Sequence, residues 1–300
     1  MKILLFGSNG QLGWELARSL QALGKVFSLN RQSCDLSKPE LIPGIIDSVK
    51  PDAIINAGAY TAVDKAEDEE ELATTINGIS VGVMAEEAKK NNIFLLHYST
   101  DYVFDGKKAE PYTEEDIPNP INAYGRSKLA GELAIKQVEC DYHILRTTWV
   151  YSCRGNNFLK TILRLSKEGD EVDIVNDAYG APTFARNLAE VSTLMLAKRI
   201  WQHSEGILEA PSGVYNATDT GETTWFGFAE SILTAAKEKE ILKLKSAFSI
   251  KPILSQECTL AAKRPKNSLL NGDKLLRDYG IRLPVWQNSL GLCLDELCLY

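Results

Sequence analysis

Histidine is scarce in this 300-residue chain, at three residues. His97, His143 and His203 are far apart in sequence, which argues against a zinc site and against a Ser-His-Asp triad. The six cysteines (Cys34, Cys140, Cys153, Cys258, Cys293, Cys298) include no CxxC pair and no companion histidine at metal spacing, so they read as reduced thiols. No metal site is predicted on that ground. No lysine-arginine cluster forms a stripe that could track phosphates, and the net charge is −7, so nucleic acid is not an expected partner. Internal repeats, low-complexity tracts and flexible linkers are also missing.

With 44% apolar and 24% charged residues, the composition is that of a globular enzyme with no need of a bilayer. The opening Met1-Lys2-Ile3-Leu4-Leu5-Phe6-Gly7 pairs a basic residue with an apolar run, as an export signal does. That run breaks at Gly7, short of the roughly 7–15 residues an export signal needs, and no small-residue cleavage site follows. The expectation is a cytoplasmic protein without membrane contact.

What is present is alternation. Short apolar runs at Lys2–Phe6, Val26–Leu29, Ala53–Asn56, Ile93–Tyr98 and His143–Trp149 are separated by amphipathic stretches at Gln11–Leu23, Pro39–Val49, Ala66–Lys90 and Ala123–Val138. Strand, helix, strand in this order predicts an α/β fold with a doubly wound parallel sheet, whose ligand crevice opens at the carboxyl ends of the strands. After about residue 150 the alternation loosens around Pro182, Pro211, Pro252, Pro265 and Pro284, with a helical stretch at Thr224–Glu238. Chains of this length usually split into two lobes. The expected division is a dinucleotide-binding domain over 1–150 and a smaller, mainly substrate-binding α/β lobe over 151–300, the latter free to return strands or helices to the first.

Gly7-Ser8-Asn9-Gly10-Gln11-Leu12-Gly13 follows the first strand and opens a helix. Gly7 and Gly10 permit a tight turn against a pyrophosphate, Gly13 permits close helix-strand packing, and the helix N-terminus faces the anion. An ordinary strand-to-helix turn has the same composition; placement at the first βα junction favours a cofactor. The second strand should end near the cofactor ribose, where a carboxylate would select NAD, yet Asn30-Arg31 stand there. Arg31 can pair with a 2′-phosphate, which favours NADPH over NADH, the alternative being a solvated side chain. Asp35 can accept from the adenine amino group or cap a helix beginning near Ser37. The small residues of Asn56-Ala57-Gly58-Ala59-Tyr60-Thr61 let a dinucleotide lie against the third strand end.

Tyr124 and Lys128 stand at i and i+4 on a predicted helix and so share a face. With 11 tyrosines, about one such pair is expected by accident. This one opens the helix that follows the fourth strand, and that strand ends in Tyr98-Ser99-Thr100-Asp101-Tyr102. An ammonium lowers the acidity barrier of a neighbouring phenol. Thr100 can bond the same carbonyl oxygen that Tyr124 would protonate. The alternative is a threonine in a turn beside an amphipathic surface helix.

These stretches, with Ala62-Val63-Asp64-Lys65-Ala66-Glu67, Val103-Phe104, Gly125-Arg126-Ser127 and Leu129-Ala130-Gly131-Glu132, resemble the extended short-chain dehydrogenases. So do Arg146-Thr147-Thr148-Trp149-Val150-Tyr151 and Asp177-Ala178-Tyr179-Gly180-Ala181-Pro182-Thr183. The likeness runs to about Arg264-Pro265 and is strongest to members that reduce the 4-keto group of a thymidine-diphosphate-linked deoxysugar. It implies the Rossmann fold, catalysis by Thr100, Tyr124 and Lys128, and Tyr124 as proton donor. Lys128 would also hold the nicotinamide ribose. It further implies cofactor contacts from Gly10, Gln11, Leu12, Asn30, Asp35, Leu36, Ala59, Tyr60, Thr61 and Tyr98, with Thr100, Asp101 and Trp149 touching the sugar.

Some relatives form dimers through a magnesium ion held by glutamates. Glu15 fits one such position, but Arg186 stands where another carboxylate is expected, so a homodimer is possible while magnesium stays open. Arg264-Pro265-Lys266-Asn267-Ser268 resembles a stretch near the nucleotide phosphates, or is an exposed basic loop. A dehydratase would need a carboxylate where Tyr102 stands, so reduction is preferred. An epimerase is disfavoured less strongly. A non-catalytic subunit resembling the regulatory partner of methionine adenosyltransferase is the rival from another class.

Overall fold

The computed structural model describes residues 1–169, 171–204, 212–241 and 248–298; the connection at Pro211 and the side chain of His203 lie outside these. In chain order the strands are β1 (Lys2–Phe6), β2 (Lys25–Leu29), β3 (Ala53–Asn56), β4 (Phe94–Thr100), β5 (Tyr142–Thr147), β6 (Val150–Tyr151), β7 (Glu171–Val175), β8 (Tyr179–Gly180), β9 (Thr183–Phe184), β10 (Gly213–Asn216), β11 (Thr223–Thr224) and β12 (Ser249–Ile253). The helices are α1 (Gln11–Ser19), α2 (Ile42–Val49), α3 (Glu70–Thr74), α4 (Ser80–Asn91), α5 (Ala123–Val138), α6 (Phe158–Glu168), α7 (Ala185–Ser204), α8 (Trp225–Glu238), α9 (Asp273–Tyr279) and α10 (Trp286–Leu297).

Ile3 and Leu5 of β1 enter one buried cluster while Leu4 and Phe6 enter another. A strand covered on both faces has to be apolar throughout, which is why these runs do not alternate with polar residues. Ala53 and Ile55 against Ile54, Leu96 against Leu95, and Leu145 against Ile144 repeat the division. Leu16 of α1 and Leu188, Val191 and Met195 of α7 cover the first face; Ile42 and Ile46 of α2, Val81 and Met84 of α4 and Ile135 of α5 cover the second. Each such side chain contributes about 1.5–3 kcal/mol on full burial.

The sheet has six strands in the order β10-β5-β4-β3-β1-β2, every adjacent pair parallel. Five strands were read from the alternation; the sixth, β10, is a four-residue run that joins the sheet edge from the second half of the chain. Since β1 pairs with both β2 and β3, the chain leaves it toward one side and later crosses to the other. The carboxyl ends of β1 and β3 flank that switch point, where ligands bind in open α/β sheets.

The helix expected over Ala66–Lys90 is interrupted. A 3₁₀ turn covers Lys65–Glu67, and a π turn at Thr75–Ile79 separates α3 from α4. The extra residue turns Asn77 inward, where its amide accepts from Tyr60 N–H (2.9 Å) and donates to Tyr60 O (3.0 Å) and Ser127 Oγ (2.9 Å). Single π turns of this kind often stand beside functional sites.

A third cluster, with Tyr151, Leu159, Ile162, Phe184, Phe228, Ile232, Trp286 and Leu290, is built by the second half around α6, α8 and α10. Three two-stranded pairings, β7 with β12, β8 with β11 and β6 with β9, frame it. Among the described residues, no helix is long and apolar enough to cross a membrane.

Candidate active site

Parallel strands deliver their following loops to one edge, and there a cleft of about 1080 Å³ opens. It is lined by the turn after β1, the segments after β2, β3, β4 and β5, the start of α5, and Gly155, Asn156, Asn157 and Trp225 from the second half of the chain.

Gly7 has φ +78°, and a Cβ there would lie 2.5 Å from Gly58 N. A Cβ on Gly13 would lie 2.0 Å from Gly7 O. The turn is closed by Gly10 N–H donating to Gly7 O at 3.0 Å, and α1 starts without a side-chain cap. Its first N–H groups are thus left for an anion. Gln11 and Leu12 line the cleft, and Gln11 Oε1 accepts from Asn157 at 2.7 Å, tying the turn to the loop before α6.

After β2, Asn30 Oδ1 accepts from Gln32 and Ser33 N–H and shapes its own turn. The Arg31 guanidinium is 78% exposed and 3.7 Å from Asp35. Asp35 accepts from Ser37 N–H at 3.0 Å, and hydrogen bonds from Ser37 with smaller help from Arg31 hold its carboxyl below the usual range. The helix cap expected of Asp35 does not form, because the next helical turn starts at Pro39 with Lys38 at its N-cap; Asp35 closes a local turn instead and faces the cleft beside Leu36. Ala59, Tyr60 and Thr61 line the floor.

At the end of β4, the Thr100 hydroxyl donates to Asp101 Oδ1 at 3.0 Å and accepts from Tyr102 N–H at 3.2 Å. Tyr124 sits in the first turn of α5, which Asn122 caps by accepting from Gly125 N–H at 2.7 Å. Burial and the Asp101 carboxylate raise the Tyr124 phenol above its ordinary value, while hydrogen bonding to Thr100 lowers it. Burial likewise pushes Asp101 up to about 6, against hydrogen bonds from Ser268 and Thr100. Asp101 Oδ2 and the Thr147 and Thr148 hydroxyls are buried without a close hydrogen-bond partner, Ser268 and Thr148 reaching the Asp101 carboxyl only at longer range, and all three residues line the cleft. Such orphaned groups need a polar ligand or water.

Lys128 differs from the expected arrangement. Its Nζ donates to Tyr98 O at 2.6 Å and lies 3.2 Å from His97 Nε2, and burial lowers it to about 8 against the opposing field of Glu132. No Lys128 influence on the Tyr124 phenol is resolved; burial, Asp101 and Thr100 set it. Tyr98 offers the site its carbonyl, since its phenol donates to Ser192 at 2.6 Å. Trp149 takes φ +47°, ends β5 two residues sooner than expected, and stacks on Trp225 at 3.7 Å. Both rings line the cleft.

Sequence reasoning missed Trp225, Asn157, Thr147, Thr148 and His97. Asn157 was marked by its N-cap position before an apolar helix, and Thr147 and Thr148 by a predicted strand end; the others carried no local signal. Arg264 is paired with Asp64 at 2.7 Å beside Tyr102, and Ser268 of the same stretch reaches the Asp101 carboxyl. Arg186 lies between Glu15 (3.2 Å) and Glu296 (2.5 Å), so its guanidinium engages both carboxylates.

The sequence profile described as the RmlD substrate binding domain matches residues 1–299. A dTDP-4-dehydrorhamnose reductase from Burkholderia thailandensis is 46% identical over 99% of both chains, and one from Escherichia coli is 40% identical over 99% of this chain and 98% of its own. The crystal structure of a dTDP-4-dehydrorhamnose reductase from Bacillus anthracis in complex with NADP superposes with a TM-score of 0.86 at 34% identity, covering 98% of this chain and 99% of that one. An ortholog from Clostridium acetobutylicum gives 0.88 at 34% identity over 99% and 100%. Full-length identity at this level, on a fold whose strand ends gather the glycine turn, Thr100, Tyr124 and Lys128, means that the chain belongs to the dTDP-4-dehydrorhamnose reductase family.

Proposed function

We propose that the protein reduces the 4-keto group of dTDP-6-deoxy-L-lyxo-4-hexulose to give dTDP-L-rhamnose, with NADPH as the reductant and Tyr124 as the proton donor. The observation that carries this reading is the convergence of the Tyr124 phenol, the Thr100 hydroxyl and the buried Asp101 carboxylate beside a glycine turn, in one cleft. A turn with no room for a Cβ at Gly7 or Gly13 fits a pyrophosphate lying against backbone. The turn Gly7–Gly13 would hold the pyrophosphate, Arg31 the 2′-phosphate, Asn30, Asp35 and Leu36 the adenosine side, and Ala59, Tyr60, Thr61, Tyr98 and Lys128 the nicotinamide side. When bound, NADPH supplies the hydride.

The protein's own part is proton supply and orientation. A phenol raised by burial stays protonated at neutral pH, as a donor must. Thr100 fixes its direction, and the orphaned Asp101, Thr147 and Thr148 oxygens would accept from or donate to sugar hydroxyls. Trp149 and Trp225 form a flat wall for the sugar or base. The residue after Asp101 is Tyr102, packed edge-on against Tyr124 at 5.7 Å, so no carboxylate stands there to abstract a proton for dehydration. The cytoplasm, which supplies both NADPH and nucleotide sugars, is the proposed location.

Mixing the purified protein with the ketosugar nucleotide and each nicotinamide cofactor should oxidise NADPH; no oxidation with either cofactor refutes the reading. Arg31→Ala should raise the KM for NADPH about tenfold, the size of one charge-assisted hydrogen bond, and leave that for NADH nearly unchanged. Equal effects on both would remove the 2′-phosphate contact. The Asp101 carboxylate is lost below about pH 6, so kcat/KM should fall there, and Asp101→Asn should abolish this acid limb. A limb that persists in the variant assigns it to another group.

A further inference from the structure

His97 is a fully buried imidazole in β4 that the proposed reaction does not use. Strand register sets it opposite Asn56 of β3, and Lys128 of α5 meets its other ring nitrogen. The direction of this row can be read from its far end. The Gly58 backbone N–H can only donate, and it lies 3.1 Å from Asn56 Oδ1. That fixes the amide and turns Nδ2, also only a donor, toward His97 Nδ1 at 3.1 Å. His97 Nδ1 therefore carries the lone pair. A neutral imidazole then carries its hydrogen on Nε2, which faces Lys128 Nζ at 3.2 Å.

An ammonium has no lone pair and meets this N–H donor to donor. A free amine accepts it and still donates to Tyr98 O at 2.6 Å. All four hydrogen bonds of the row are made only when Lys128 is an amine. We infer that His97, oriented by Asn56, is a positioning residue that favours the amine form of Lys128 and so sets the pH at which this lysine of the cleft loses its proton.

The other groups around Lys128 agree with this balance. Glu132, one turn along α5, opposes the loss of the cation, but its carboxylate is occupied by Arg146, Ser99 and Lys136. Tyr124 shares the helix face, and the Tyr98 phenol is engaged by Ser192. Burial first, and Lys128 second, keep the His97 ring well below its ordinary value and thus neutral. The purpose of the row rests on the proposed reduction; its geometry does not.

Full-length protein labelled with ¹⁵N in its three histidines separates the two. His97→Gln identifies the His97 signals, and these should show the Nε2–H tautomer between about pH 6 and 9 without cofactor. Asn56→Asp keeps the acceptor for Gly58 and offers Nδ1 a second one. It should flip the ring to the Nδ1–H tautomer, present a lone pair to Lys128, and move the basic limb of kcat up by about one pH unit. An Nδ1–H tautomer in the unmodified protein overturns the inference, whether or not either variant folds. So does a flipped ring in Asn56→Asp with an unmoved limb. An Nε2–H tautomer in a protein that does not reduce the ketosugar overturns the proposed reaction instead.

Discussion

Replacing Tyr124 by Phe should lower kcat by about 100- to 10,000-fold while NADPH binds nearly as tightly as before. The variant removes one oxygen and leaves the ring that packs edge-on against Tyr102. Nothing in the glycine turn, in the segment after β2 or in the floor after β3 depends on that oxygen. The loss should therefore fall on kcat, not on cofactor affinity, because the proton reaches the substrate oxygen only as negative charge develops on it. Cofactor fluorescence titration and turnover with the ketosugar nucleotide measure the two quantities separately. Near-native turnover would remove Tyr124 from the proton path and leave Asp101, raised to about 6 by burial, as the remaining acid in the cleft.

Much of this arrangement was legible in the chain because it is local. A strand buried on both faces writes itself as Lys2–Phe6 or Ala53–Asn56, a helix start writes itself as Asn122 before Ala123, and Tyr124 and Lys128 lie on one face by helical geometry alone. What was not legible depends on contacts between distant segments. The π turn at Thr75–Ile79 exists because Asn77 reaches Tyr60 and Ser127, residues 17 and 50 positions away. Trp149 was read as the last residue of a strand, but its left-handed backbone swings the ring onto Trp225. β10 was missed because Gly213-Val214-Tyr215-Asn216 holds two apolar residues between turn formers, whereas the equally short Ala53–Asn56 holds three in a row. His97 was counted only as a histidine without a sequence neighbour, whereas sheet register, not sequence distance, gives it Asn56.

Glu132→Gln should lower stability by about 3–5 kcal/mol in urea unfolding, because it strands a buried guanidinium. Arg146 is 1% exposed and Glu132 fully buried; their two hydrogen bonds are 2.9 and 2.6 Å, and Ser99 adds a third to the same carboxylate at 2.6 Å. Burial pushes the Glu132 carboxyl upward, but Arg146, Ser99 and Lys136 together outweigh it and hold it below the usual range. A carboxyl depressed in the folded state contributes stability that is fully present above its unfolded value of about 4.3 and is lost as pH falls through the folded value. The unmodified protein should accordingly lose stability on acidification below about pH 4, and the variant should lack that share of the slope. The pair ties α5 to β5 and, through Ser99, to β4, one residue before Thr100 and Thr147, so its geometry supports the catalytic edge of the sheet. Replacing both partners, as Glu132→Leu with Arg146→Met, should recover most of the stability, since no charge is left unpaired. It should not recover the pH profile. Lys128 loses the one carboxylate that favours its ammonium, and the basic limb of kcat should move down. A double variant with the stability of the single one would mean that packing, not the unpaired guanidinium, dominates the loss.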